Sequence, residues 1–242
     1  MFSRLIESFF ELIIPFMAKM LVKQTDKEKI VEENYKKTLK IVARLTKKPV
    51  IFAMIGLVGS GKSSVARKIA SQIGANIIEG DTIRSELKKV GEKYDNTRII
   101  AENIAISIIM NGGNIVLDSD FIDSKKRAVI ANKAKKARVK LIFIRVTCDL
   151  DTSIGRIISA SNTDSADNFF GGATTLWKNE KKGSVVKIRE IIRRIPQHYR
   201  WENKAGGKWV AKKISVEVGA TIDTTDEDKW PEQVLKLASK LK

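Results

Sequence analysis

The sequence from Gly56 to Ser63 reads GLVGSGKS and matches the pattern G-x-x-x-x-G-K-[ST] at every required position. Glycines let such a loop turn its N–H groups toward phosphate oxygens, and the following helix adds the positive end of its dipole. In this pattern the lysine, here Lys62, bridges the β- and γ-phosphates, and the serine hydroxyl, here Ser63, ligates Mg²⁺. The residues expected to contact a nucleotide are Gly56, Gly59, Ser60, Gly61, Lys62, Ser63 and Ser64.

The expected nucleotide is ATP, because the sequence gives no support for guanine specificity. A GTPase should carry Asn-Lys-x-Asp to hold the guanine ring. The two Asn-Lys pairs begin at Asn132 and Asn203, and neither is followed by an acid at the required position. ATP and Mg²⁺ are therefore the predicted cofactors.

Short apolar runs alternate with amphipathic stretches around this loop. The run 49–55 directly precedes it and is continuously apolar, which is typical of a strand buried on both faces of a parallel sheet. Further strands are predicted at 76–78, 114–117, 140–146 and 220–223, and helices at 62–73, 82–90, 96–111, 124–137, 149–160 and 230–241. We therefore predict an α/β fold of the P-loop NTPase type, with a doubly wound, mainly parallel five-stranded sheet.

Acidic residues follow two of these strands. The second strand is followed by Asp81, with Arg84 one helical turn later, and here the sequence resembles the small P-loop kinases that include polynucleotide 5′-kinases, chloramphenicol phosphotransferase and the zeta toxins. The resemblance covers roughly 49–160 and 219–242. It implies that Asp81 accepts the proton of the attacking hydroxyl and that Arg84 holds the acceptor or its phosphate. Asp81 could also cap a helix that begins at Thr82.

The third strand ends in Asp118-Ser-Asp120. In the kinases that the sequence resembles, an acid at this place holds a water on the metal ion, which makes Asp118 the second expected Mg²⁺ contact. Two interpretations of Asp120 stay open: it could orient the acceptor, or it could cap the turn before Ser124.

Several arginines are candidates for contacts to the nucleotide or the acceptor. Related kinases often carry an arginine in the helix after the fourth strand; Arg156 fits this place, but Ala160 stands where a second arginine is frequent. Residues 161–218 interrupt the alternation and are predicted to form a lid-like insert. Its candidate arginines, which could equally be solvated charges, are Arg189, Arg193, Arg194 and Arg200. The sequence Tyr199-Arg200-Trp201 could stack on a base or sugar.

The N-terminal 47 residues are predicted to form a helical arm. Residues 1–22 have apolar and charged side chains on opposite sides of a predicted amphipathic helix. This helix could cap its own domain, contact a dimer partner or lie on anionic lipid as a peripheral membrane contact. Charged residues interrupt this segment, so no transmembrane segment is expected. A second helix is predicted from 26 to 47, opened by a capping box from Thr25 to Glu28 and with Val31, Tyr35, Leu39, Val42 and Leu45 on one face.

The composition is strongly basic. Lysine and arginine total 45 residues against 28 aspartates and glutamates, a formal net charge of +17 that should attract phosphates, nucleic acid or anionic lipid. The helix after the third strand could be a track for RNA or simply a solvated face; its cations are Lys125, Lys126, Arg127, Lys133, Lys135, Lys136 and Arg138.

The chain has one cysteine, Cys148, and one histidine, His198. They are too few for a Cys/His zinc site or an internal disulfide, and a reducing, cytoplasmic location is expected. We expect Cys148 to be a packed thiol and His198 to be a hydrogen-bonded structural residue.

These observations predict an arm at 1–47 and a kinase domain at 48–242 that contains the insert 161–218. The predicted activity is transfer of the γ-phosphoryl group of ATP to a hydroxyl of an acceptor, with Lys62, Asp81 and Arg84 as catalytic residues. Net charge slightly favours a nucleic-acid 5′-hydroxyl over a nucleotide sugar or another small molecule as the acceptor. The alternative is an ATP-controlled switch whose arm engages a partner or a membrane surface.

Overall fold

A computed structural model of the chain describes residues 24–159 and 183–241. The amphipathic segment predicted at 1–22 and the N-terminal part of the predicted insert lie outside the described residues. The elements in chain order are α1 Asp26–Thr38, β1 Val50–Ile55, α2 Lys62–Ile73, β2 Ala75–Glu79, α3 Gly80–Lys89, α4 Thr97–Met110, β3 Asn114–Asp118, α5 Ser124–Lys136, β4 Lys140–Thr147, α6 Leu150–Ser159, α7 Gly183–His198, β5 Tyr199–Glu202, a 3₁₀ turn Lys204–Gly206, β6 Lys208–Ala211, β7 Ala220–Asp223 and α8 Trp230–Ser239.

Five strands form a parallel sheet in the order β2-β3-β1-β4-β7. Every residue of the central strand β1 is buried, as expected for a strand covered on both faces. The predicted doubly wound α/β fold is confirmed. Because the strands are parallel, the carboxyl ends of β1, β2 and β3 meet at one edge, where Glu79 and Asp118 are register partners.

Helices cover both faces of this sheet. On one face, α1, α3, α4 and α5 bury residues that include Val31, Ile83, Ile104 and Ile130. On the other face, α2 and α8 pack against the strands through residues such as Ile69 and Val234. The loops at the carboxyl edge are thus supported by a rigid core, which fixes the backbone that carries the polar side chains.

The helix predicted from 26 to 47 is shorter in the structure and ends at Thr38. Its capping box is present, but Leu39 is extended and the following backbone is held by the sheet loops. The side chain of Asn76 accepts from the Val42 N–H at 3.1 Å and donates to the Lys40 carbonyl at 2.7 Å. These long-range bonds replace helical ones, and Val42 is consequently exposed.

The described part of the predicted insert contains α7 and an antiparallel hairpin of β5 and β6. Trp201 and Trp209 face each other across the hairpin, edge to face, with ring centroids 5.4 Å apart. No described helix has both the length and the apolar run that a membrane span requires.

Candidate active site

The loop from Gly56 to Ser63 has a backbone that only glycine tolerates at several positions. Gly59 and Gly61 have φ values of 81° and 77°. A Cβ atom on Gly56 would lie 2.7 Å from the Val146 carbonyl oxygen. Within the loop, the buried hydroxyl of Ser60 has no hydrogen-bond partner among the described residues. A cradle of this form, with an unsatisfied donor, fits the phosphates of a nucleotide.

Lys62 begins α2, and its ammonium donates a hydrogen bond to the Leu57 carbonyl at 2.9 Å. Burial lowers the pKa of Lys62, an effect that the nearby carboxylates of Asp120 and Asp118 oppose. A partly desolvated ammonium gains strongly from an anionic partner, so a bound phosphate would be stabilised at this position.

The loop's dependence on glycine gives a test of its geometry. We expect Gly59→Ala to lower the free energy of unfolding by about 2 kcal/mol or more, because φ is positive and the new Cβ would lie 2.6 Å from the Ser153 carbonyl oxygen. The matched control is Gly155→Ala. Gly155 lies in α6, the helix that also contains Ser153, but a Cβ atom on Gly155 would meet nothing within 4 Å. That change should stabilise by about 0.5–1 kcal/mol. Urea unfolding measures both, and equal effects would contradict the geometry.

A cavity of about 470 Å³ opens beside the loop at the carboxyl edge of the sheet. It gathers most of the side chains that the sequence singles out, although they come from four separate segments. The predicted residues that line it are Lys62, Ser63, Asp81, Arg84, Asp118, Asp120, Arg193 and Arg194.

Asp81 lies in the first turn of α3 and pairs with Arg84 one turn later. The helix begins at Gly80 and not at Thr82, so Asp81 does not occupy the cap position that one sequence interpretation gave it. The Asp81 carboxylate forms an ion pair with Arg84, and Asp81 lines the cavity. A carboxylate placed in this way can accept a proton from a hydroxyl group that enters the cavity.

Ser63 and Asp118 line the same cavity from α2 and from the end of β3. A hydroxyl and a carboxylate are the oxygen ligands that Mg²⁺ prefers, and the ion usually keeps several waters and contacts nucleotide phosphates as well. This donor set fits the predicted metal. Among the described residues, no cluster of three His, Cys, Asp or Glu forms a separate metal site.

Asp120 joins the loop from Gly56 to Ser63, which we call the phosphate loop, to α7. Its Oδ1 accepts from the N–H groups of Gly56 at 3.2 Å and Ile122 at 3.1 Å. Its Oδ2 lies 3.0 Å from His198 Nε2 and 3.2 Å from Arg194 Nη1. The bond from Ile122 supports the predicted role in the turn, and the bond to Asp120 confirms the hydrogen-bonded role expected of His198. The carboxylate thus holds the insert helix α7 against the start of the phosphate loop.

The ionisation of Asp120 should stabilise the fold. Burial by itself would raise its pKa, but the hydrogen bond and charge of His198, with the charges of Lys62 and Arg194, lower it from 3.8 to about 2. Because the folded pKa lies below the unfolded one, the stabilisation is complete above about pH 4 and is lost as the pH falls toward 2.

We expect Asp120→Asn to lower the free energy of unfolding by about 2 kcal/mol at pH 7. At pH 3 the difference in free energy of unfolding between the variant and the parent should fall to about half, because the parent carboxylate has then lost part of its stabilising effect. Urea unfolding between pH 7 and pH 3 measures this difference. A difference that stays constant over this range would contradict the assigned ionisation.

Arg156 lies outside the cavity but contacts the segment that supports the phosphate loop. Its guanidinium donates to the Thr224 carbonyl at 2.6 Å and lies 3.3 Å from Glu227 Oε1. Thr224 in turn donates from Oγ1 to the Ser60 carbonyl at 2.8 Å. Cys148, a buried thiol as predicted, lies 3.2 Å from the same guanidinium. The role of Arg156 toward the nucleotide stays a prediction.

The structure separates the insert candidates. Arg193 and Arg194 line the cavity. Arg200 and Trp201 are not among the described residues that line it. Arg200 pairs with Glu202 on the hairpin, and half of the Trp201 surface is exposed. Their predicted contacts to an acceptor would therefore require a ligand that extends beyond the cavity. Arg189 is exposed on α7.

Two of the seven cations of the predicted basic track are not on the surface. Arg127 is buried and donates to the Phe121 carbonyl at 3.0 Å, and Lys133 is buried beside Glu102 at 2.6 Å. Lys126 lines the cavity. The helix is thus not a uniform solvated face, and its cations have different surroundings.

Sequence reasoning missed some cavity residues, namely Tyr94, Thr97 and Arg98. They belong to no motif, and only the packing of α4 against α3 brings them to this edge of the sheet. Lys126 was visible only as one cation among seven.

Known proteins resemble this chain in fold. A family model described as an AAA domain matches residues 51–168, a little under half of the chain. No curated protein matches the sequence.

Solved structures with similar folds have low sequence identity to this chain. A candidate kinase from Chloroflexus aurantiacus J-10-fl is 14% identical, with a TM-score of 0.54, and the match covers 81% of this chain and all of that one. The protein APE1195 is 16% identical, with a TM-score of 0.51 and coverage of 82% and 97%. The APS kinase CysC of Mycobacterium tuberculosis, in complex with AMPPNP and APS, is 15% identical, with a TM-score of 0.48 and coverage of 79% and 98%. The first two of these structures show that the chain has a P-loop kinase-like α/β fold.

Proposed function

We propose that this protein is an ATP- and Mg²⁺-dependent kinase that phosphorylates a hydroxyl group of an acceptor bound in the 470 Å³ cavity. The observation that carries the proposal is that one cavity contains the phosphate loop and Asp81. A site for ATP hydrolysis alone needs no space for an acceptor, whereas this cavity extends from Lys62 past Asp81 to Thr97 and Arg98. Phosphoryl transfer needs positioning and charge neutralisation, and the cavity offers side chains for both.

Each residue has a defined task in this proposal. The acceptor oxygen attacks the γ-phosphorus, the bond to the β-phosphate oxygen breaks, ADP leaves, and the proton of the hydroxyl goes to the Asp81 carboxylate. Lys62, Arg193 and Arg194 neutralise charge on the transferred group, and Arg84 orients Asp81 through their ion pair. Ser63 and Asp118 would hold Mg²⁺, which neutralises phosphate charge when bound.

The dimensions of the cavity favour a small-molecule acceptor. A volume of about 470 Å³ lies within the range of small-molecule and cofactor sites, although part of it must also accept the terminal phosphates. Net charge pointed slightly toward a nucleic-acid 5′-hydroxyl, but two cations of the basic helix are buried in internal contacts. A nucleic-acid end remains the second acceptor in this proposal.

The direct test is transfer of label from γ-³²P-ATP to a panel of acceptors, which contains sugars, sugar phosphates, nucleotide sugars and 5′-hydroxyl oligonucleotides. We expect a labelled acceptor product that Lys62→Ala does not form. Hydrolysis of ATP with no labelled product across the panel would contradict the kinase proposal and favour an ATP-controlled switch. In such a switch, the contact of Asp120 with both Gly56 and α7 would link the nucleotide site to the insert.

A further inference from the structure

Two cations, Arg98 and Lys126, line the cavity and have no task in the transfer step described above. Arg98 lies in the first turn of α4 and Lys126 in the first turn of α5. The two helices pack on the same face of the sheet, so the side chains approach the cavity from neighbouring elements. Their positive charges influence each other, since Arg98 contributes to lowering the pKa of Lys126.

Lys126 is half-buried, and no carboxylate of a described residue forms an ion pair with its ammonium. Burial is the largest effect on the pKa of Lys126 and lowers it. The positive charges of Arg194 and Arg98 lower this pKa further, whereas the negative charges of Asp120 and Asp123 raise it. A cation held in this way costs free energy unless an anion compensates it.

Arg98 is only partly neutralised. Its Nη1 lies 2.8 Å from Glu102 Oε1, while the other oxygen of Glu102 lies 2.6 Å from the ammonium of Lys133. The Glu102 side chain is 1% exposed, so water does little to weaken these two interactions. One carboxylate is thus shared by two cations, and four of the five guanidinium N–H groups of Arg98 have no acceptor in this pair.

We propose that Arg98 and Lys126 bind a phosphate monoester carried by the acceptor, so that the substrate is a small phosphorylated alcohol. The proposal rests on the proposed function, because it places this phosphate in the same cavity as Asp81. Arg98 shares the carboxylate of Glu102 with Lys133, and Lys126 forms no ion pair with a described carboxylate, so both cavity cations can accept a further anionic partner. A phosphate monoester presents three oxygens that can accept from the guanidinium and the ammonium together, whereas a carboxylate presents only two.

The test uses inorganic phosphate as the probe and the full chain saturated with Mg²⁺ and AMPPNP, so that the phosphate loop is filled. Binding is followed by broadening of the phosphate ³¹P resonance at constant ionic strength. We expect saturable binding that Lys126→Gln and Arg98→Gln each weaken about 10-fold or more. The matched control is Lys125→Gln, which removes the same charge one residue earlier but on the exposed side of α5, and it should leave the affinity unchanged.

Two further arms identify the ligand. Ribose 5-phosphate should displace the probe, whereas ribose and acetate should not do so at equal concentration. Displacement by a 5′-hydroxyl oligonucleotide at a much lower concentration than ribose 5-phosphate would overturn the small-molecule assignment in favour of nucleic acid.

The outcomes separate this inference from the proposed function. Absence of AMPPNP binding to the parent protein would contradict the proposed function itself. Normal AMPPNP binding with the same phosphate affinity in Lys125→Gln and Lys126→Gln would overturn the acceptor site alone. Each variant's affinity for AMPPNP also reports whether it is folded.

Discussion

Replacement of Lys62 by alanine should remove most of the thermal stabilisation that ATP and Mg²⁺ give to the parent protein. A ligand present at 100 times its dissociation constant stabilises the folded state by about 2.7 kcal/mol. For a chain of this size, that corresponds to a rise in thermal midpoint of about 5–10 °C. The Lys62 ammonium is desolvated, and no other described cation lies at the start of α2, where the phosphates are expected to bind. Differential scanning fluorimetry with and without the nucleotide measures the shift.

The control for this prediction is Lys68→Ala, which removes a lysine from the same helix α2 away from the cavity. It should keep the full shift. A shift in Lys62→Ala as large as that of the parent would show that ATP binds elsewhere.

Replacement of Asp81 by asparagine should lower the rate of phosphoryl transfer by about 10²- to 10⁴-fold and leave the affinity for ATP close to that of the parent. The asparagine keeps the shape of the side chain but accepts no proton. The phosphate loop belongs to a different segment, so its geometry should not change. Steady-state kinetics give the rate, and equilibrium titration with AMPPNP gives the affinity.

The matched control is Glu86→Gln, in which another acid of α3 loses its charge. Glu86 pairs with Lys89 at the same spacing of three residues that separates Asp81 from Arg84, but it lies outside the cavity. The control should retain the parent rate. An Asp81→Asn variant that binds ATP weakly and turns over at the parent rate would rule out the assigned role.

Local patterns in the sequence were enough to predict the sheet and the phosphate loop. A strand buried on both faces must be apolar throughout, which identified β1 from 49–55, and the loop pattern needs glycine at positions where a Cβ would collide. Asp81 and Asp118 each follow a predicted strand, and parallel strands place their carboxyl ends at one edge. The sequence therefore also predicted that these two acids lie near the loop. Each of these features depends on neighbours in the chain or on a regular sheet.

The remaining features depend on contacts between distant segments, and only the tertiary structure determined them. The helix α1 ends at Thr38 because Asn76 binds the backbone that follows it, and helical periodicity contains no information about that partner. Asp120 joins His198, which is 78 residues away in the chain. Arg98 and Lys126 were two cations among 45 until the packing of α4 and α5 placed both in one cavity. The sequence by itself therefore determined the phosphate loop and its strand-end acids, whereas folding decided which charged side chains share the cavity, because charge has no periodicity that reveals its distant neighbours.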